Sequence, residues 1–115
     1  MENGGLRSAE AFKVVEFIEY IPNSIATKTI IKKITGSISA ISSDSGGLLI
    51  GKILPFDIFI ELIEGNAEIF IDNKSNLLEM GQSIIIPAHS HSIIRTINRF
   101  KLLSTIIKSG YEEVS

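Results

Sequence analysis

The sequence has no cysteine, which removes disulfide staples, zinc fingers and thiol catalysis together. It has no basic stripe either. Net charge is −2, the only adjacent basic pair is Lys32-Lys33, and no run of cations is interleaved with aromatics. Nucleic-acid binding therefore lacks its electrostatic footprint. Long apolar runs are missing too: nothing approaches the ~18 residues that a membrane helix needs. The N-terminus, Met1-Glu2-Asn3-Gly4-Gly5, carries no basic region followed by an apolar stretch, so no secretory signal is visible. These absences predict a soluble cytoplasmic protein with neither a nucleic-acid nor a membrane partner.

What is abundant is isoleucine, about one residue in five, within a hydrophobic fraction of 44%. Isoleucine is β-branched and stiff at its first torsion, and it packs well on a pleated surface, so the bias favours strands. At 115 residues the chain is long enough to bury one core without staples.

Residues 1–24 read as an N-terminal arm that packs on a single domain at 25–115. Within the arm, residues 11–20 fit two patterns. Phe12-Lys13-Val14 alternates like a strand, while Phe12, Val15, Glu16 and Glu19 share a helix face. A short strand leading into a helical turn satisfies both, and Pro22-Asn23 then breaks the chain. From Ile25 the pattern is β throughout. Strands are expected at 25–34, 37–41, 48–52, 57–63, 67–72, 75–79, 83–86, 91–97 and 101–107. A Ser/Gly-rich loop is expected at 42–47, with tight turns at Glu64-Gly65-Asn66, Asp72-Asn73-Lys74 and Met80-Gly81. Short strands at regular intervals predict an all-β sandwich or barrel. Several strands are apolar on both faces: Ile58, Ile60 and Leu62 lie on one side, Phe59 and Ile63 on the other. One face fills the interior. The other needs a second sheet, the N-terminal segment or a partner chain over it, and a homodimer is expected.

Glycine and proline then form a spaced frame. Gly46, five residues, Lys52-Ile53-Leu54, three residues, Ile58, six residues and Gly65 make one segment, and Gly81, five residues and Pro87 make a second, with fifteen residues between Gly65 and Gly81. These intervals resemble the two motifs of small stand-alone cupins, whose fold is a double-stranded β-helix or jelly-roll β-barrel. Pro55-Phe56-Asp57 and Pro87-Ala88 also look like that family, and the resemblance spans about residues 25–108. In cupins the frame carries His, His, Glu and His, pointing inward to hold an octahedral metal such as Mn, Fe or Ni. Those four positions here are Lys52, Leu54, Ile58 and Ser92, and the motif's glycine and asparagine are His89 and Thr96. Leucine and isoleucine cannot ligate, a protonated lysine is a poor donor, and serine is a weak one. No cofactor is expected.

The resemblance thus implies a degenerate, metal-free cupin, a non-catalytic module for small-molecule binding, sensing or interaction. Its ligand-facing residues would be Lys52, Leu54, Phe56, Ile58 and Ser92. Lys52 reads either as a cation aimed into the pocket mouth or as a strand-end lysine reaching solvent. The interior is open to a small apolar ligand, or closed by its own isoleucines. The alternative is a metal-dependent cupin enzyme, an oxygenase, isomerase or lyase, with a divalent transition metal displaced to His89 and His91. Two histidines two apart on a strand share a side. The ungapped register from Pro87 places Ser92 inward and His91 outward, however, and reversing it would bury Arg95 unpaired. Only a β-bulge at the rim would bring His91 in. Asp57, on the opposite parity from Ile58, is expected to cap a loop or meet a partner chain. Glu61 and Glu64 are expected to be solubilising charges on the outer face.

Overall fold

The computed structural model describes residues 6–108. Nine strands follow one helical turn: α1 (Val14–Phe17), β1 (Ile25–Lys33), β2 (Gly36–Ser43), β3 (Gly47–Ile50), β4 (Ile58–Glu64), β5 (Asn66–Ile71), β6 (Lys74–Glu79), β7 (Ser83–Ile86), β8 (Ser92–Thr96) and β9 (Phe100–Ile107). They form a five-stranded sheet in the order β1-β2-β9-β4-β7 and a four-stranded sheet in the order β3-β8-β5-β6, with antiparallel pairing throughout. This is the jelly roll that the cupin resemblance implies, and it narrows the sandwich or barrel that strand spacing alone predicts.

The turns carry the residues their backbones require. Asp72 and Asn73 join β5 to β6 with φ of 47° and 69°, the left-handed pair of a two-residue hairpin, which Asp and Asn tolerate better than other side chains. Gly65 has φ of 86°, and a Cβ there would stand 2.6 Å from the Arg99 carbonyl oxygen, so both conformation and space demand glycine.

Alternation along the strands sorts side chains into two clusters. Ile60, Leu62, Ala67, Ile69, Leu78, Ile86, Ile94, Phe100 and Leu102 form one continuous core between the sheets. Ala26, Ile30 and Ala40, on the outer face of the larger sheet, pack against Ile18, with Leu6, Val14 and Phe17 beside them. The N-terminal segment thus lies across the outside of β1, β2 and β9. Residues 11–20 contain the single turn α1 and no strand, because their apolar side chains meet a ready-made sheet surface and need no ladder of their own. Residues 1–5 of the expected arm, and 109–115 of the expected domain, lie outside the described residues.

Polar contacts tie the segment down. The Ser42 hydroxyl donates to the Glu19 carbonyl oxygen at 2.8 Å, and the buried Lys101 ammonium donates to that of Val15 at 2.6 Å. Lys101 and Arg99 both face the Tyr20 ring, at 4.7 and 4.3 Å, and the Tyr20 hydroxyl donates to Glu64. Burial, followed by this carboxylate contact, raises the Tyr20 pKa well above its ordinary value. Glu64 is therefore more than a solubilising charge. A bulge after Leu62 sets it opposite Lys101, beneath the tyrosine.

Candidate functional site

The end of the barrel where the two motif segments meet is built from the β3–β4 connection and the chain entering β8. His89 donates its backbone N–H to the Leu54 carbonyl oxygen at 2.7 Å, Ala88 donates to Asp57 Oδ1 at 2.9 Å, and Gly51 donates to the Ser92 carbonyl oxygen at 2.9 Å. Asp57 caps the opposing loop, one of the two roles its strand parity predicts. His91 and Asp72 are joined reciprocally: the His91 N–H donates to Asp72 Oδ1 at 2.8 Å, and the Asp72 N–H to the His91 carbonyl oxygen at 2.9 Å.

From residue 89 to 96 exposure alternates. Ser90, Ser92, Ile94 and Thr96 are buried, while His89, His91 and Arg95 are exposed. Both histidines therefore stand outside the barrel, Ser92 is inside at 6% exposure, and no bulge reverses them. Arg95 pairs with Glu68 on the outer surface. His89 occupies the family's glycine position and has φ of 66°, which explains why a glycine suits that place.

Lys52 differs from its expected position. It lies beyond the end of β3 and is exposed. The register pairs Leu49 with Ile94, and both belong to the core side, so Gly51 and not Lys52 turns inward opposite Ser92. A Cβ on Gly51 would stand 2.2 Å from the Ser92 hydroxyl oxygen. Lys52 thus takes the solvent-reaching alternative, and Gly51 is a site position that motif spacing does not reveal. The available hint was a glycine inside a strand, which marks close approach of another group. Leu54, Phe56 and Ile58 are half-buried, and Ile58 packs against the central core. The Thr96 hydroxyl is buried without a partner.

The donors do not fit a metal. Among the motif positions Gly51 and Ser92 turn inward, Ile58 packs on the core and Leu54 is half-buried; they hold a single hydroxyl, and among the described residues no three of His, Cys, Asp and Glu converge.

No family model and no curated protein matches the sequence. Solved structures do. A conserved protein of unknown function from Streptococcus pyogenes superposes with TM-score 0.83 at 22% identity, over 94% of this chain and 93% of that one. A cupin superfamily protein from Desulfitobacterium hafniense gives TM-score 0.84 at 21% identity, over 94% and 97%. The chain has the cupin fold. An RmlC-like cupin from Shewanella frigidimarina, at 16% identity and TM-score 0.69 over 82% of this chain and 85% of that one, is a more distant likeness. Identities at this level establish the cupin architecture and carry no activity across.

Proposed function

We propose that this protein is a metal-free, non-catalytic cupin-fold module that acts by binding. The observation that carries the reading is the occupancy of the inward positions. At the positions where a metal-dependent cupin would carry imidazoles and a carboxylate this chain has Leu54, Ile58 and Ser92, and the residue facing Ser92 is Gly51 rather than Lys52. Such a set has neither a Lewis-acid holder nor a general base to move a proton. On the inner face of β2 and β9, Ser37, Ser39 and Ser104 are half-buried and share parity with Ile41 and Leu102. With Leu54 and Phe56 they suit a small uncharged ligand with an apolar body and a hydroxyl or carbonyl group. The absence of a basic stripe and the net charge of −2 argue against a nucleic-acid partner. The enzyme alternative is less well supported, because His89 and His91 are both outside the barrel and lack a third donor among the described residues.

Elemental analysis of protein purified without a polyhistidine tag tests the reading. Trace metal is expected, followed by thermal stabilisation with small neutral ligands and none with Mn, Fe or Ni. Near-stoichiometric transition metal overturns it.

A further inference from the structure

The outer face of the four-stranded sheet carries large apolar side chains that are exposed. The larger sheet has the N-terminal segment over β1, β2 and β9, but none of the described residues crosses the smaller one. Two rows of side chains run across it. The first is Leu48, Arg95, Glu68 and Leu77, and the second is Ile50, Ile93, Phe70 and Ser75. Leu48 is 61% exposed, Ile50 72%, Leu77 76%, and Ile97, just past β8, 89%. Such values for large apolar side chains grouped on one face mark an interface.

The charged pair at its centre is held flat. Glu68 accepts from Ser75 and from Arg95, and the Arg95 guanidinium lies 5.2 Å from the Phe70 ring centroid. The contacts to Ser75 and Arg95 draw the Glu68 carboxyl below its usual range. A groove of about 590 Å³ follows β5, with Glu68 on its floor and Leu77 and Ile97 on opposite walls.

We infer that this face docks on the same face of a second copy of the chain. Charge supports that occupant. A cation and an anion side by side near the centre of a face are self-complementary under a two-fold axis, since each Arg95 then meets the other copy's Glu68. Size supports it too. Four strands spaced ~4.8 Å apart, with β5 about 20 Å long, outline roughly 400 Å² before side-chain relief is counted. Relief carries the accessible area towards the roughly 800 Å² per partner of a stable interface. Two twisted sheets stack face to face at about 10 Å, which lets Leu77 or Ile97 of one copy enter the groove of the other. The outer residues of β4 that predict a homodimer from sequence lie in the larger sheet, whereas this interface is on the smaller sheet instead.

Light scattering after size exclusion tests this on the full untagged chain. The expected mass is twice the chain's 12.6 kDa at micromolar concentration. Glu68→Arg and Arg95→Glu should each weaken the dimer more than tenfold, because like charges then oppose across the interface. Mixing the two variants should restore a dimer. Both side chains are at the surface, so circular dichroism should show an unchanged fold. A monomeric wild type overturns the inference, as does a dimer that survives both reversals. Dissociation by Phe59→Lys or Ile85→Lys, on the other sheet, with Glu68→Arg inert, overturns it as well. Metal content is a separate readout: stoichiometric metal would end the functional proposal and leave the dimer face untouched.

Discussion

Replacing Gly51 by alanine tests the close approach of Gly51 to Ser92 directly. The new Cβ would lie 2.2 Å from Ser92 Oγ and 3.3 Å from the Ser92 carbonyl oxygen. Its φ lies outside the left-handed region, so alanine meets no backbone strain there. Overpacking of this kind costs about 1–3 kcal/mol. Against that, the loss of glycine's unfolded-state freedom returns about 0.4–1 kcal/mol. The net destabilisation is about 0.5–2 kcal/mol. In a Ser92→Ala background the hydroxyl is gone, and the nearest remaining atoms are the carbonyl oxygen at 3.3 Å and Cβ at 3.6 Å. Gly51→Ala should then be close to neutral. Urea denaturation of the four proteins gives the coupling, expected at about 1–2 kcal/mol, well above the ~0.5 kcal/mol scatter of independent sites. Additive effects would refute the placement of Gly51 over Ser92. They would return the inward position to Lys52.

His89→Gly should raise stability by about 0.5–1 kcal/mol, a rise of a few degrees in Tm, because it relieves a left-handed residue with a Cβ. His89→Val should lower it, since β-branching resists that conformation, and a thermal melt that fails to rank Gly above His above Val would be the contrary result. Alkaline stability depends on Tyr20. Its folded pKa is raised, so the stabilisation of the neutral phenol is fully present below the unfolded value of ~10 and is lost as pH climbs from there towards the folded value. Tyr20→Phe should flatten the decline in Tm above that pH, and an unchanged slope would count against the Tyr20–Glu64 contact.

The strands were legible because their signals are local. Ser83–Ile86 holds a bounded run of three isoleucines, and Asp72-Asn73 announces its own turn, so both appear where those local signals put them. Side-chain direction is legible only while a strand persists. Motif spacing puts Lys52 at an inward ligand position, but the pairing of Leu49 with Ile94 fixes the parity of β3, and by that parity Lys52 follows Leu48 and Ile50 on the outer side. Long-range polar contacts leave no trace in sequence. Tyr20 and Glu64 are 44 positions apart, Val15 and Lys101 are 86, and nothing within a window of a dozen residues couples them. The ambiguity of residues 11–20 has the same origin, since the surface that settles their conformation is made mostly by β1, β2 and β9.

Strand β9 is the last described strand in chain order, yet it sits in the middle of the larger sheet, between β2 and β4. It also supplies Lys101 to the N-terminal segment. During synthesis, then, β1–β2 and β4–β7 can form only as separate hairpin-like pieces, each with an apolar edge waiting for a strand not yet made. Those edges are available to neighbouring nascent chains until β9 arrives. A ribosome stalled before residue 100 would hold a chain already rich in isoleucine but without its central strand. Folding yield in the cell is therefore expected to depend on how soon β9 follows β4 and β7 out of the ribosome.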